Sequence, residues 1–137
     1  LPINILYNQW FNQQFQDLLI QRKDVVIHCR SIFLQGILIS PKETWPKLDN
    51  INAKDYVKKL EFLVNKFNFN NRIELCLSYI KSIEWIDGLL IGVDNIEQLN
   101  ENIKLFKIRQ LSKEEFTTVK QLFKNTPKNL LNPSLWK

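Results

Sequence analysis

Short apolar runs alternate along this chain with longer stretches in which apolar residues recur every three or four positions. Runs of the first kind predict buried strands, and stretches of the second kind predict amphipathic helices. The predicted strands are Leu1–Tyr7, Val25–Ile27 and Gly88–Gly92. One helix is predicted after the first strand, two after the second and two after the third. This order indicates an α/β fold whose parallel strands are joined by right-handed crossovers.

The predicted helices carry apolar stripes and local start signals. Two of the stripes are Phe11, Phe15, Leu18 and Leu19, and Ile96, Leu99 and Ile103. Either Asp94 or Asn95 can cap the helix that carries the second stripe. Ser112 and Glu115 have the spacing of a capping box, which predicts the start of the last helix.

Polar residues follow the second predicted strand directly, beginning with His28, Cys29, Arg30 and Ser31. Since α/β folds bind ligands at the carboxyl ends of their strands, this position is a candidate site. Gly36 comes next and is one of only three glycines, which favours a backbone with positive φ or a close approach to a ligand. A tight turn over a packed strand explains the same residues equally well.

Three segments resemble the aldo/keto reductase family. RSIFLQG at Arg30–Gly36 resembles the family's seventh-strand loop, and IDGLLIGVDNIEQLNEN at Ile86–Asn102 resembles its eighth strand and following helix. LNPSLW at Leu131–Trp136 resembles its carboxyl-terminal tail, and the order and spacing of all three agree. The resemblance implies that residues 1–137 are the carboxyl-terminal portion, strands six to eight and the tail, of a TIM (β/α)8 barrel. It also implies an NAD(P)H-dependent oxidoreductase that interconverts small-molecule carbonyl compounds and alcohols.

The resemblance further implies a nicotinamide cofactor held by the loops after the last two strands. Ser31, Leu34 and Gly36 would lie along its pyrophosphate, and Arg30 would stack on the nicotinamide where many members have tyrosine. The residues implied to hold the adenosine end are Gly92, Asp94, Asn95, Gln98, Glu101 and Asn102. Without the resemblance, an ordinary solvated helix face would explain the last three of these.

The residues around the implied adenosine site favour NAD over NADP. Family members that select NADP place lysine or arginine around this loop, whereas this chain has Val93, Asp94 and Gln98. A carboxylate would repel the 2′-phosphate of NADP but can accept a hydrogen bond from the 2′-hydroxyl of NAD. A site that no longer binds any cofactor remains an alternative.

No catalytic residue of the family maps onto this chain. The resemblance places the family's catalytic aspartate, tyrosine, lysine and histidine on earlier strands, and His28 is interpreted as a packed or hydrogen-bonded strand residue. The sequence contains no methionine and opens on a predicted strand, so we expect a fragment of a longer chain that does not catalyse alone. The missing half of the barrel would then be its partner. The alternative is a non-catalytic half-barrel that pairs with a second copy of itself or with another partner.

Composition excludes several other functions. Hydrophobic residues make up 45% of the 137, but no apolar run reaches the roughly 20 residues of a membrane span. The net charge is +5, yet lysine and arginine are spread through the predicted helices, so we expect no nucleic-acid partner. Two cysteines and one histidine are too few for a zinc site, and two buried thiols in a cytoplasmic protein are expected.

Overall fold

The computed structural model describes residues 1–7, 9–93 and 95–136. Within these ranges the strands are β1 (His28–Cys29) and β2 (Gly88–Leu89). The α-helices are α1 (Gln13–Gln21), α2 (Ala53–Lys66), α3 (Arg72–Lys81), α4 (Ile96–Leu105), α5 (Lys113–Leu122) and α6 (Lys128–Leu131). All five predicted helices are present. The short helix α6, which follows Pro127, was not predicted.

Three extended segments lie side by side and parallel, with β1 in the centre. β1 pairs with β2 so that His28 lies opposite Gly88. On the other side a single parallel bridge joins Pro2 to Arg30. The amide of Ile3 donates to the carbonyl of Arg30 at 3.0 Å, and the amide of Arg30 donates to the carbonyl of Leu1 at 2.8 Å. The prediction of an α/β fold with parallel strands is therefore confirmed.

The second and third strands are shorter and more exposed than predicted. Val26 precedes β1 and is 68% exposed, so Val25–Ile27 is not a buried strand, although Ile27 itself is buried. Leu90 follows β2 and is 57% exposed, so the prediction that Gly88–Gly92 is wholly buried is wrong. A parallel strand is buried only where other elements cover both of its faces. The described elements leave these positions uncovered.

The first predicted strand ends after three residues because the chain turns. The amide of Tyr7 donates to the carbonyl of Asn4 at 2.9 Å. The Asn4 side-chain oxygen Oδ1 also accepts from the amide of Leu6 at 3.0 Å, which closes the turn. Leu1–Tyr7 is therefore an extended segment followed by a turn rather than one strand.

Side-chain caps begin five of the helices, α1 to α5, as the sequence predicts for two of them. The helix α4 is capped by Asn95, whose side chain accepts from the amide of Gln98 at 2.8 Å. The capping box of α5 is confirmed, with Ser112 accepting from the amide of Glu115 and Glu115 accepting from the amide of Ser112. Asn52 and Asn71 cap α2 and α3 in the same way. The alternative cap, Asp94, lies outside the described residues.

The core lies between α2, α3, α5 and the loop that follows β1. Its fully buried side chains include Leu38, Leu60, Leu63, Leu75, Tyr79 and Phe123. Both cysteines are buried free thiols, as predicted. Burial raises the pKa of Cys29 to about 11 and that of Cys76 to about 12, so both stay protonated at neutral pH.

Most of helix α4 lies outside this core, and only its last residue, Leu105, packs against it among the apolar residues of the helix. Ile96 is 67% exposed, and Leu99 and Ile103 are also exposed, so no described element covers the predicted apolar stripe. His28 is likewise exposed, although it lies in β1 as predicted. No helix in the described part of the chain is long and apolar enough to cross a membrane.

Candidate functional site

The loop that follows β1 has an unusual backbone. Four of its residues have positive φ: Ser31 at 62°, Leu34 at 47°, Gln35 at 55° and Gly36 at 84°. Only the glycine adopts this region without steric cost. Such strain persists where the surrounding structure imposes it, and it clusters at ligand sites. Leu34 is almost fully buried, which helps to hold this loop in its conformation.

Arg72 of α3 holds the end of this loop. Its side-chain nitrogen Nη1 donates to the carbonyls of Leu38 at 3.2 Å and Ser40 at 3.1 Å. Its Nε lies 2.9 Å from a carboxylate oxygen of Glu61 in α2. The guanidinium thereby joins the loop to two helices of the core.

A cavity of about 230 Å³ lies between this loop and the segment after β2, and we call it the loop groove. Its walls are residues 31–36 on one side and residues 90–92 on the other. Four predicted cofactor residues line it: Ser31, Leu34, Gly36 and Gly92. Because both walls directly follow parallel strands, the loop groove lies at the carboxyl ends of β1 and β2.

A larger cavity of about 580 Å³ borders the same loop, and we call it the tail groove. It lies between the amino-terminal segment, residues 30–35 and the carboxyl-terminal tail. The polar and charged side chains that line it include Asn4, Tyr7, Arg30, Gln35, Lys128 and Asn132. Ser31 and Leu34 line both grooves, so the loop separates the two cavities. Burial raises the pKa of Tyr7 above its ordinary value.

The remaining predicted residues lie on α4 and not on these grooves. Gln98 and Glu101 are exposed, and Asn102 is partly buried. Asn95 caps the helix, and none of these four belongs to the described lining of either groove. Asp94, which was predicted to face the ribose, lies outside the described residues. The structure thus brings the residues predicted for the pyrophosphate together with Gly92 of the adenosine set, whereas the other described residues predicted for the adenosine do not line this groove.

Sequence reasoning missed the tail groove. It assigned no ligand role to Asn4, Tyr7 or Lys128, because no local pattern connects these three positions. The available signal was the tail motif LNPSLW, four residues of which, Leu131, Asn132, Pro133 and Leu135, line this groove. Among the residues that the structure describes, no cluster of three or more histidine, cysteine or acidic side chains could hold a metal ion.

Comparison with known proteins links this geometry to one family. The model of the aldo/keto reductase family matches residues 3–124 of the chain. The match includes both walls of the loop groove and the whole of α4, and it ends before α6. No curated protein matches the chain significantly.

Proposed function

Because this chain belongs to the aldo/keto reductase family, we propose that it is the cofactor-binding part of an NAD(P)H-dependent oxidoreductase. In this proposal residues 1–137 form the carboxyl-terminal portion of a TIM (β/α)8 barrel, from the sixth strand to the tail. The intact protein interconverts small-molecule carbonyl compounds and alcohols. Its catalytic aspartate, tyrosine, lysine and histidine come from strands that precede this portion.

The loop groove is the observation that carries the proposal. Consecutive parallel strands deliver their following loops to one edge, and in a barrel the last two such loops form the phosphate site. Here those loops enclose a cavity lined by Ser31, Gly36 and Gly92. The left-handed backbone between Ser31 and Gly36 supports a ligand role, because strain of this kind is retained where a loop must present its backbone to a ligand.

In this proposal the cofactor crosses the loop that separates the two grooves, with its nicotinamide in the tail groove and its pyrophosphate in the loop groove. Arg30 lines the tail groove, so the nicotinamide that stacks on its guanidinium plane lies on that side. The pyrophosphate then passes Ser31, Leu34 and Gly36 in the loop groove. The adenosine lies beyond Gly92, toward Asn95, Gln98, Glu101 and Asn102 on α4.

Cofactor titration tests whether these residues contact the cofactor or form only a solvated face of α4. NADH and NADPH are added to the chain, and binding is followed by cofactor fluorescence and by amide chemical shifts. We expect shifts in residues 30–36 and 90–93, and weaker binding for Gln98→Ala and Glu101→Ala. Asn100→Ala is the matched control, because Asn100 is an exposed residue of α4 outside the proposed set. Equal affinities for all three variants would mean that these side chains form only a solvated face. If neither cofactor shifts the loop-groove amides, the proposal is wrong.

The choice between cofactors depends on Asp94 in this proposal. A carboxylate beside the 2′-phosphate of NADPH, partly exposed to water, costs on the order of 1 kcal/mol, or several-fold in affinity. We therefore expect NADH to bind at least as tightly as NADPH. Asp94→Arg should strengthen NADPH binding and leave NADH binding nearly unchanged. A tenfold preference of the unmodified chain for NADPH would contradict this role of Asp94.

A second candidate function is favoured by the exposed apolar surface. Four apolar side chains in or next to the helices and strands are each more than half exposed: Ile20 in α1, Val26 before β1, Leu90 after β2 and Ile96 in α4. A non-catalytic half-barrel would cover such residues by pairing with a second copy or another partner. Sedimentation at micromolar concentration distinguishes the two functions. A cofactor-indifferent dimer favours the second, and a cofactor-binding monomer favours the first.

A further inference from the structure

The charged side chains that line the tail groove are both basic. Arg30 follows β1 and Lys128 is the first residue of α6, so the fold brings two distant segments to one cavity. No aspartate or glutamate belongs to the described lining of this groove. Neither Arg30 nor Lys128 forms an ion pair with a described residue. Two uncompensated positive charges beside one cavity favour an anionic ligand.

Asn4 adds a hydrogen-bond donor to the same groove. Asn4 as a whole is only 2% exposed, and its Oδ1 accepts from the amide of Leu6. Its amide nitrogen Nδ2 forms no hydrogen bond with a described residue, and it is not among the enclosed unpaired side-chain atoms of the described part of the chain, so it is open to the groove. A ligand oxygen in the groove would satisfy this donor.

The remainder of the lining mixes polar side chains with apolar and aromatic ones. Tyr7, Leu131 and Pro133 contribute apolar and aromatic surface. The cavity of about 580 Å³ falls within the range of about 300–1,000 Å³ that is usual for small-molecule sites. The groove therefore combines two cationic side chains, an amide donor and apolar side chains, which together suit a small organic acid rather than an inorganic ion.

We propose that the tail groove binds a carbonyl substrate that carries a carboxylate and an apolar body, with Arg30 and Lys128 holding the carboxylate. This inference rests on the proposed oxidoreductase function and names the substrate class of that site. Arg30 serves both ligands, because a guanidinium donates hydrogen bonds in its plane while its face stacks on a ring. Asn4 donates from Nδ2 to an oxygen of the same substrate.

Matched acid and ester probes test the inference with the full chain. Phenylpyruvate supplies a carboxylate, a carbonyl and an apolar ring, and its methyl ester is the neutral counterpart. Each is titrated while amide chemical shifts are recorded. We expect the acid to bind at least tenfold more tightly, with shifts concentrated in residues 2–7, 30–35 and 128–135. Equal dissociation constants, or no binding of either probe, would overturn the inference.

Charge variants locate the carboxylate. Lys128→Gln and Arg30→Gln should each weaken phenylpyruvate binding about fivefold or more, because each removes one charge-assisted hydrogen bond. Lys124→Gln is the control, since it removes an equal charge from an exposed residue that does not line the groove. If Lys124→Gln weakens phenylpyruvate binding as much as Lys128→Gln does, the affinity depends only on the net charge of the chain. That result would contradict the proposed contact.

Parallel NADH titrations separate this inference from the proposed function. If Lys128→Gln weakens NADH binding and leaves phenylpyruvate binding unchanged, the cations hold a cofactor phosphate and the inference is wrong. If the unmodified chain binds phenylpyruvate in the tail groove but no NADH, the cofactor proposal fails and the anion site stands. If it binds NADH but does not distinguish acid from ester, the cofactor proposal stands and the inference fails.

Discussion

Replacing Arg72 by methionine removes the clamp on the loop between the two grooves while keeping an unbranched side chain of similar length. The Arg72 side chain is only 14% exposed, and its guanidinium donates to the carbonyls of Leu38 and Ser40 at 3.2 and 3.1 Å. A hydrogen bond from a charged donor contributes about 1.5–3 kcal/mol to the free energy of unfolding, and we take the lower value for each of these two bonds. The ion pair with Glu61 is discounted to less than about 1 kcal/mol, since Glu61 is 50% exposed.

These contributions predict that Arg72→Met lowers the free energy of unfolding by about 3 kcal/mol. Urea denaturation followed by circular dichroism measures it, and the midpoint should fall by roughly 1–2 M. The midpoint of Arg72→Lys should lie between those of the unmodified chain and Arg72→Met, because an ammonium group cannot bridge both carbonyls with the same geometry. Arg22→Met is the control, since Arg22 pairs only with Asp24 in an exposed ion pair and should leave the midpoint unchanged. Equal midpoints for Arg72→Met and Arg22→Met would refute the reasoning.

Three further predictions concern the loop, an ion pair and the thiols. Gly36→Ala should destabilise the fold by about 1 kcal/mol in urea denaturation, because Gly36 has a φ of 84°. Gly92→Ala should not destabilise it, because the new methyl group meets no atom within 4 Å. Equal denaturation midpoints for the two variants would contradict this prediction. The Arg109 guanidinium holds the pKa of Glu115 below its usual range, so their pair stabilises the fold above the unfolded pKa near 4.5 and is lost as the pH falls. Glu115→Gln should therefore cost more stability at pH 7 than at pH 3, and an equal cost at both values would exclude this linkage. Both cysteines should react with a thiol reagent at pH 8 only after unfolding, because burial excludes the reagent and raises the pKa of each thiol. Fast reaction of the folded chain would show instead that at least one cysteine is accessible.

The helices were predictable because their signals are local. The capping box of Ser112 and Glu115 lies within a single turn, so its two partners meet whenever that turn forms. The apolar periodicity of α2 and α3 likewise appears in the structure, where Leu60, Leu63 and Cys76 are buried. Residues 31–36 of the loop motif all line one wall of the loop groove because they follow one another directly in sequence, and their cofactor role stays a prediction.

Burial of an apolar face was decided by the tertiary structure alone. Ile96, Leu99 and Ile103 have the same spacing as buried stripes, yet they are exposed because no described element covers this face of α4. Periodicity states which residues share a helix face, but it does not supply the element that covers this face. Val26 next to β1 is exposed for the same reason, because no described element covers it.

The tail groove and the strained loop also required the tertiary structure. By itself the sequence determined that Gly36 is suited to positive φ, but Ser31, Leu34 and Gln35 adopt this region too. L-residues do so only where packing imposes the conformation, and packing depends on contacts that are distant in sequence. In the same way Arg30 and Lys128 line one cavity only because the fold brings the tail and the amino-terminal segment to the same groove, which no local pattern of residues encodes.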